Sequence, residues 1–145
     1  MPTPVNANAI LYVEDDEMVR MATTLILKMK YPQFNLLSAV NGKEGLEIFR
    51  LNRPAIVITD IVMPLMDGLQ MVKEIKTIVS GVQIIVTSAD NDIGKITAAI
   101  NIESGSYVRK PFNPGSLFAA IDDCIDRMAF TLNSKQLHPA AAGQK

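Results

Sequence analysis

The sequence predicts a doubly wound α/β domain, a parallel five-stranded sheet with helices on both faces. Three observations lead there. Five short, apolar, β-branched runs recur along the chain, a stretch of helical character follows each, and the runs are continuously apolar instead of alternating. An unbroken apolar strand is buried on both faces, as happens in a parallel sheet covered on each side by helices.

The strands are expected at Ala9 to Val13, Phe34 to Val40, Ala55 to Thr59, Val82 to Thr87 and Ser106 to Val108. After the first, Met18, Met21, Ala22, Leu25 and Met29 recur at helical spacing and predict an amphipathic helix with that face inward. Leu117, Ile121, Cys124, Ile125 and Met128 do the same for the last helix. Tyr31-Pro32, Asn41-Gly42 and Arg53-Pro54 punctuate the boundaries. A chain of 145 residues, 48% hydrophobic, suffices for one core and is short for two. The domain is expected over residues 8–128, with 1–7 as an N-terminal extension and 129–145 as a C-terminal tail or linker. Both ends are polar, small or proline-containing, without periodicity.

Charge and composition exclude several classes. Fourteen Lys plus Arg against 15 Asp plus Glu leave no basic surplus for nucleic acid. The single cysteine, Cys124, and single histidine, His138, cannot build an internal disulfide or a zinc cluster, which fits a reducing cytosol. No apolar run reaches membrane-span length and the N-terminus lacks signal-peptide character, so a soluble cytoplasmic protein is expected.

In doubly wound sheets, ligands bind outside the carboxyl ends of the strands. Here those ends carry Glu14-Asp15-Asp16-Glu17, Thr59-Asp60, Thr87-Ser88-Ala89 and Arg109-Lys110-Pro111-Phe112. Asp16 and Glu17 read as a cap and first-turn charge of the first helix. Glu14 and Asp15 instead face a third carboxylate, Asp60. Two unit charges about 4 Å apart interact by roughly 4 kcal/mol at an effective dielectric of 20, so the cluster calls for a cation. Oxygen ligands without imidazole or thiolate favour Mg²⁺, with Mn²⁺ as an alternative.

Val13-Glu14-Asp15, Asp60-Ile-Val-Met-Pro-Leu-Met-Asp67-Gly68, Ser88-Ala89 and Lys110-Pro111-Phe112 together resemble the motif set of response-regulator receiver domains of two-component systems. The resemblance covers roughly residues 8 to 128. It implies the flavodoxin-like strand order 2-1-3-4-5 and five helices. It also implies a phosphoacceptor, Asp60, that takes a phosphoryl group from a phosphohistidine in a metal-dependent reaction. Asp15, Asp60 and the backbone carbonyl of Val62 resemble the metal ligands, and Glu14 the remaining acidic residue, reaching the metal through water. Lys110 resembles the lysine that pairs with the phosphoacceptor and then with a phosphoryl oxygen, followed by a cis peptide to Pro111. Ser88 resembles the switch hydroxyl and Tyr107 the aromatic that moves with it. Successive strand side chains face opposite ways, so only one of Thr87 and Ser88 can face the phosphoryl group, and Ser88 is the assignment. Asp67 and Gly68 shape the following loop, Gly68 through backbone conformational freedom. Partners implied are a sensor histidine kinase or phosphotransfer protein, and an output domain or downstream protein through the fourth helix, fifth strand and fifth helix. The chain departs from the family at Ile102-Glu103-Ser104-Gly105-Ser106-Tyr107, where the glycine is shifted.

Other classes fit less well. An aspartyl-phosphate phosphatase of the haloacid-dehalogenase kind needs an acid two residues after its nucleophile, and position 62 is valine. In a flavin carrier, the acidic run after the first strand would repel the cofactor's phosphate. A degenerate receiver acting only by binding is disfavoured because every pocket position carries a competent residue. The resemblance thus implies a switch that catalyses only its own phosphotransfer and slow dephosphorylation.

Overall fold

The computed structural model describes residues 5–89, 105–111 and 113–137. Five parallel strands, β1 (Asn6–Val13), β2 (Asn35–Ala39), β3 (Pro54–Asp60), β4 (Gln83–Ser88) and β5 (Gly105–Arg109), lie in the order β2-β1-β3-β4-β5. Among the described residues, four helices accompany them: α1 (Glu17–Lys30), α2 (Gly42–Asn52), α3 (Gly68–Ile78) and α4 (Pro114–Leu137). The stretch between β4 and β5, where the sequence predicts a fourth helix, lies outside the described residues, so α4 is the helix expected as the fifth.

Strand alternation sorts the core into two layers. Leu11, Val13, Val57, Ile84 and Val86 pack against Leu46 and Phe49 of α2 and Met71, Val72 and Ile75 of α3. On the other face Ile10, Tyr12, Ile56, Ile58, Ile85 and Val108 pack against Leu27 of α1 and Leu117, Ile121 and Cys124 of α4. Pro54 to Thr59 are buried throughout, which explains why β3 reads as an unbroken apolar run.

One sequence expectation needs correction. Met18, Met21, Leu25 and Met29 are 60–78% exposed, and α1 turns Thr23 and Leu27 inward instead. The helix also carries Val19, Ile26 and Leu27, so apolar residues occupy most of its circumference and periodicity could not choose the face. The last helix extends past Met128 to Leu137. No glycine or proline interrupts that stretch. Strand limits shift by a few residues: β1 starts at Asn6, and Val40 leaves β2 to donate its N–H to Glu44 Oε1 at 2.8 Å beside the Asn41 cap of α2.

Candidate functional site

Each functional side chain is placed by the end of a strand. β1 stops at Val13 because the run of carboxylates begins there. Asp16 then caps α1, its Oδ1 accepting from Val19 N at 3.0 Å, with Glu17 in the first turn. This is the structural role the sequence assigns to those two residues. Glu14 is left at the strand end, 1% exposed, while Asp15 is exposed. β3 ends at Asp60, whose Oδ1 accepts from Ile61 N at 2.8 Å.

The carboxylates of Glu14, Asp15 and Asp60 place one oxygen each within 4.8 Å of one another. Lys110, just past β5 and joined to Pro111 by a cis peptide, enters from the far side of the sheet. Its Nζ lies 2.6 Å from Glu14 Oε1 and 3.1 Å from Asp60 Oδ2. Glu14 Oε2 accepts from Asp16 N at 3.1 Å, so both its oxygens are engaged within the protein. Burial raises Glu14 above the usual carboxylate range, against the pull of Lys110 and the Asp16 N–H. Burial also draws Lys110 down, but its bonds to Glu14 and Asp60 outweigh it and hold the ammonium above the ordinary lysine value. Three carboxylates crowded at the carboxyl edge of a parallel sheet, with oxygen donors only, match the preferences of a hard divalent cation. Asp60 is engaged through both oxygens as well, Oδ1 by Ile61 N and Oδ2 by Lys110, each keeping a second lone pair, while Asp15 is exposed.

The loop after Asp60 is held tightly. Gly68 N donates to Ile61 O at 2.8 Å, and Asp67 caps α3, accepting from Gln70 N at 2.8 Å. No described glycine has a positive φ, so Gly68 is not there for backbone freedom. It is there for space, since a Cβ would collide with the Asp60 carbonyl oxygen. Leu65 carries the left-handed conformation in this loop, at φ 70°. Met63 is buried and Val62 is 78% exposed.

The register separates Thr87 from Ser88. Thr87 pairs with Asp60 and lies on the face of Ile85 and Ile58, fully buried, its hydroxyl without a partner. Ser88 alternates with Val86 and so shares its face with Tyr107, which pairs with Val86 and packs against the same cluster. Tyr107 Oη donates to Ser88 O at 3.2 Å, and Lys110 N donates to that same carbonyl at 2.8 Å. The end of β4 is therefore tied to both the aromatic and the lysine.

Sequence reasoning missed two residues. Arg20 donates from Nη1 to Glu14 O at 2.9 Å, adding positive charge at the end of β1. Its spacing, one turn beyond the cap at Asp16, is the signal that could have found it. Tyr12 is the other, a fully buried phenol two residues before Glu14. A polar tip inside an apolar strand was its signal.

A parallel α/β fold with a carboxylate cluster and a lysine at its carboxyl edge defines a class of small phosphoacceptor switches. The family model for the response regulator receiver domain matches residues 10–122, and the chain belongs to that family. It is 32% identical over 119 residues to the chemotaxis protein CheY of Halobacterium salinarum, covering 82% of this chain and 98% of that one. It is 38% identical over 120 residues to the transcriptional regulatory protein CseB of Streptomyces avermitilis, covering 81% of this chain and 49% of that regulator. The chain thus spans about half the length of the CseB regulators it matches. Among solved structures, the N-terminal domain of a Wolinella succinogenes protein, WS1339, superposes with a TM-score of 0.75 at 33% identity, covering 86% of this chain and 98% of that one. A CheY-like receiver domain of Methanospirillum hungatei superposes at 0.78 with 22% identity, covering 87% and 99%, a likeness of fold. Receiver domains are signalling switches of two-component systems, working between histidine kinases and outputs. Among the described residues, no helix is long and apolar enough to cross a membrane.

Proposed function

We propose that this chain is a cytoplasmic phosphoacceptor that takes a phosphoryl group from a histidine kinase or phosphotransfer protein onto Asp60, with Mg²⁺ in the acidic pocket, and holds it as a signal. The observation that carries this is the convergence of the Glu14, Asp15 and Asp60 carboxylates within 4.8 Å, with Lys110 Nζ 3.1 Å from Asp60. In the transfer, an Asp60 oxygen attacks the phosphorus of a phosphohistidine, an O–P bond forms and the N–P bond breaks, and the imidazole leaves with the bonding pair. Phosphoryl transfer asks mainly for positioning and charge neutralisation. Asp15, Asp60 and the Val62 carbonyl would hold the metal, with Glu14 reaching it through water. Bound there, the ion neutralises charge on the phosphoryl oxygens.

Lys110 is the protein's own cation for the product, moving from carboxylate to phosphoryl oxygen. Ser88 supplies the hydroxyl that follows the phosphoryl group and Tyr107 the aromatic that moves with it. Their shared face and the Tyr107 contact to the Ser88 carbonyl support this pairing over Thr87. Output passes through the face containing β5 and α4, together with the helix expected between β4 and β5, and nucleic acid is not read by these residues. Valine at position 62 leaves no adjacent acid to drive fast hydrolysis.

Incubation with acetyl phosphate and Mg²⁺ is expected to add one acid-labile phosphoryl group, detected by mass, and Asp60→Asn to abolish it. Undiminished labelling of the variant would refute the assignment.

A further inference from the structure

Tyr12 occupies a position that packing alone does not explain. Alternation places it on the same face as Glu14, in the core beneath α1 and α4, and its register partner is Ile58, two residues before Asp60. It therefore sits one side-chain row below the acidic pocket. The residue is 0% exposed, and its hydroxyl makes no hydrogen bond. Its polar neighbours are the side chains of Thr23 and Glu14, with Asp60 near enough to act on it electrostatically. Phenylalanine would fill nearly the same volume without a buried O–H, and an unpartnered buried donor costs about 1–3 kcal/mol. An orphan of this kind calls for a reason, and a partner gained in another state is one.

Glu14 supplies that second state. In the resting molecule its Oε1 is held by Lys110 at 2.6 Å. If Lys110 turns to a phosphoryl oxygen on Asp60, a carboxylate only 1% exposed loses its cation. A buried charge stripped of its partner is strongly unfavourable. We propose that Tyr12 is a positioning residue of the pocket, whose phenol donates to the Glu14 carboxylate when Lys110 leaves it. A phenol carries its proton at neutral pH, so it has one to donate. The pocket would then exchange an ammonium for a phenol on Glu14 and release the ammonium to the product. This proposal rests on the phosphoacceptor reading of Asp60.

The test is Tyr12→Phe, which keeps the ring and removes only the hydroxyl. Calorimetric titration with beryllium fluoride and Mg²⁺, which together mimic a phosphoryl group on a carboxylate, is expected to show about tenfold weaker binding than wild type, the loss of one hydrogen bond to a charged group. The melting temperature of the unliganded variant is expected to equal or exceed that of wild type, because no resting hydrogen bond is lost. In a Lys110→Met background the same substitution is expected to lower the melting temperature, since Glu14 then depends on the phenol. Equal affinities in the titration would overturn the proposal. So would a destabilised or unfolded unliganded single variant, which would mean that the hydroxyl is already partnered, and so would an unchanged melting temperature in the Lys110→Met background. Failure of wild type itself to bind beryllium fluoride would instead strike at the phosphoacceptor reading. The melting-temperature comparison stands apart from that result.

Discussion

At the scale of single residues, the pocket shows how one set of contacts divides labour among similar side chains. Asp16 is satisfied as a cap, Glu14 by Lys110 and a backbone N–H, and Asp15 stays exposed. Asp60 accepts from Ile61 N and shares Lys110 with Glu14. The two hydroxyls at the end of β4 divide similarly, Thr87 with the Asp60 row and Ser88 with Tyr107. Ser88→Ala is expected to slow the conformational response to phosphorylation while leaving the Asp60 label in place. Thr87→Val, which removes an unpartnered buried hydroxyl, is expected to leave that response intact. NMR spectra with and without beryllium fluoride distinguish them, and a response lost only in Thr87→Val would reverse the assignment. Cys124, fully buried, offers a pH probe: burial raises its thiol from its ordinary 9.0 to about 11, against the opposing pull of Arg127. A raised thiol binds its proton more tightly in the folded state. Its contribution is therefore complete below about pH 9 and is lost as pH rises toward 11. Relative to Cys124→Ala, wild type is expected to lose roughly 2 to 3 kcal/mol across that window, because each tenfold difference in proton affinity between folded and unfolded chain is worth about 1.4 kcal/mol. Denaturant titrations at the two ends of the window measure it, and parallel pH profiles would show that the thiol does not titrate as described.

Elements follow a different logic, because a helix has to choose one face. α4 chose the face that the sequence predicts, burying Leu117, Ile121 and Cys124. α1 did not, although its apolar content is higher. Its methionines point outward, and Leu27 packs with Ile10, Tyr12 and Tyr31. The choice follows from its anchors: the Asp16 cap and the Arg20 bond to the Glu14 carbonyl fix its rotation at one end. At the other, Tyr31 Oη donates to Asp122 Oδ1 of α4 at 2.8 Å. Leu27→Ala is expected to cost about 2–5 kcal/mol in unfolding free energy. Leu25→Ala, 60% exposed, is expected to change it by less than about 0.5 kcal/mol. Equal losses in chemical denaturation would show that α1 buries its methionine face after all.

For the molecule as a whole, the sheet works as a frame that gathers groups far apart in sequence. Lys110 and Glu14 are separated by 96 positions and meet at 2.6 Å. They do so because β1 and β5 run parallel and end at the same edge. A metal bound only by the folded pocket must stabilise the fold, by about 1.4 kcal/mol at ten times its Kd. For a domain of this size that is a rise of about 5 °C in melting temperature. Mg²⁺ is expected to produce such a rise in wild type and a smaller one in Asp15→Asn, by differential scanning calorimetry. Identical shifts would remove Asp15 from the ligand set.

The strands, their parallel packing and the acidic edge were legible in the sequence, because burial on both faces forces continuous apolar runs and because strand ends are where those runs stop. The convergence of Glu14, Asp60 and Lys110 was legible too, through motifs that mark three of those ends. What only the tertiary structure decided was rotation, space and pairing. The inward face of α1, the room that Gly68 leaves for the Asp60 carbonyl, the face that Ser88 shares with Tyr107 and the unpartnered Tyr12 hydroxyl each depend on neighbours distant in the chain. Periodicity reports how much of a segment is apolar and at what spacing. Which side chain meets which is set only when the layers close.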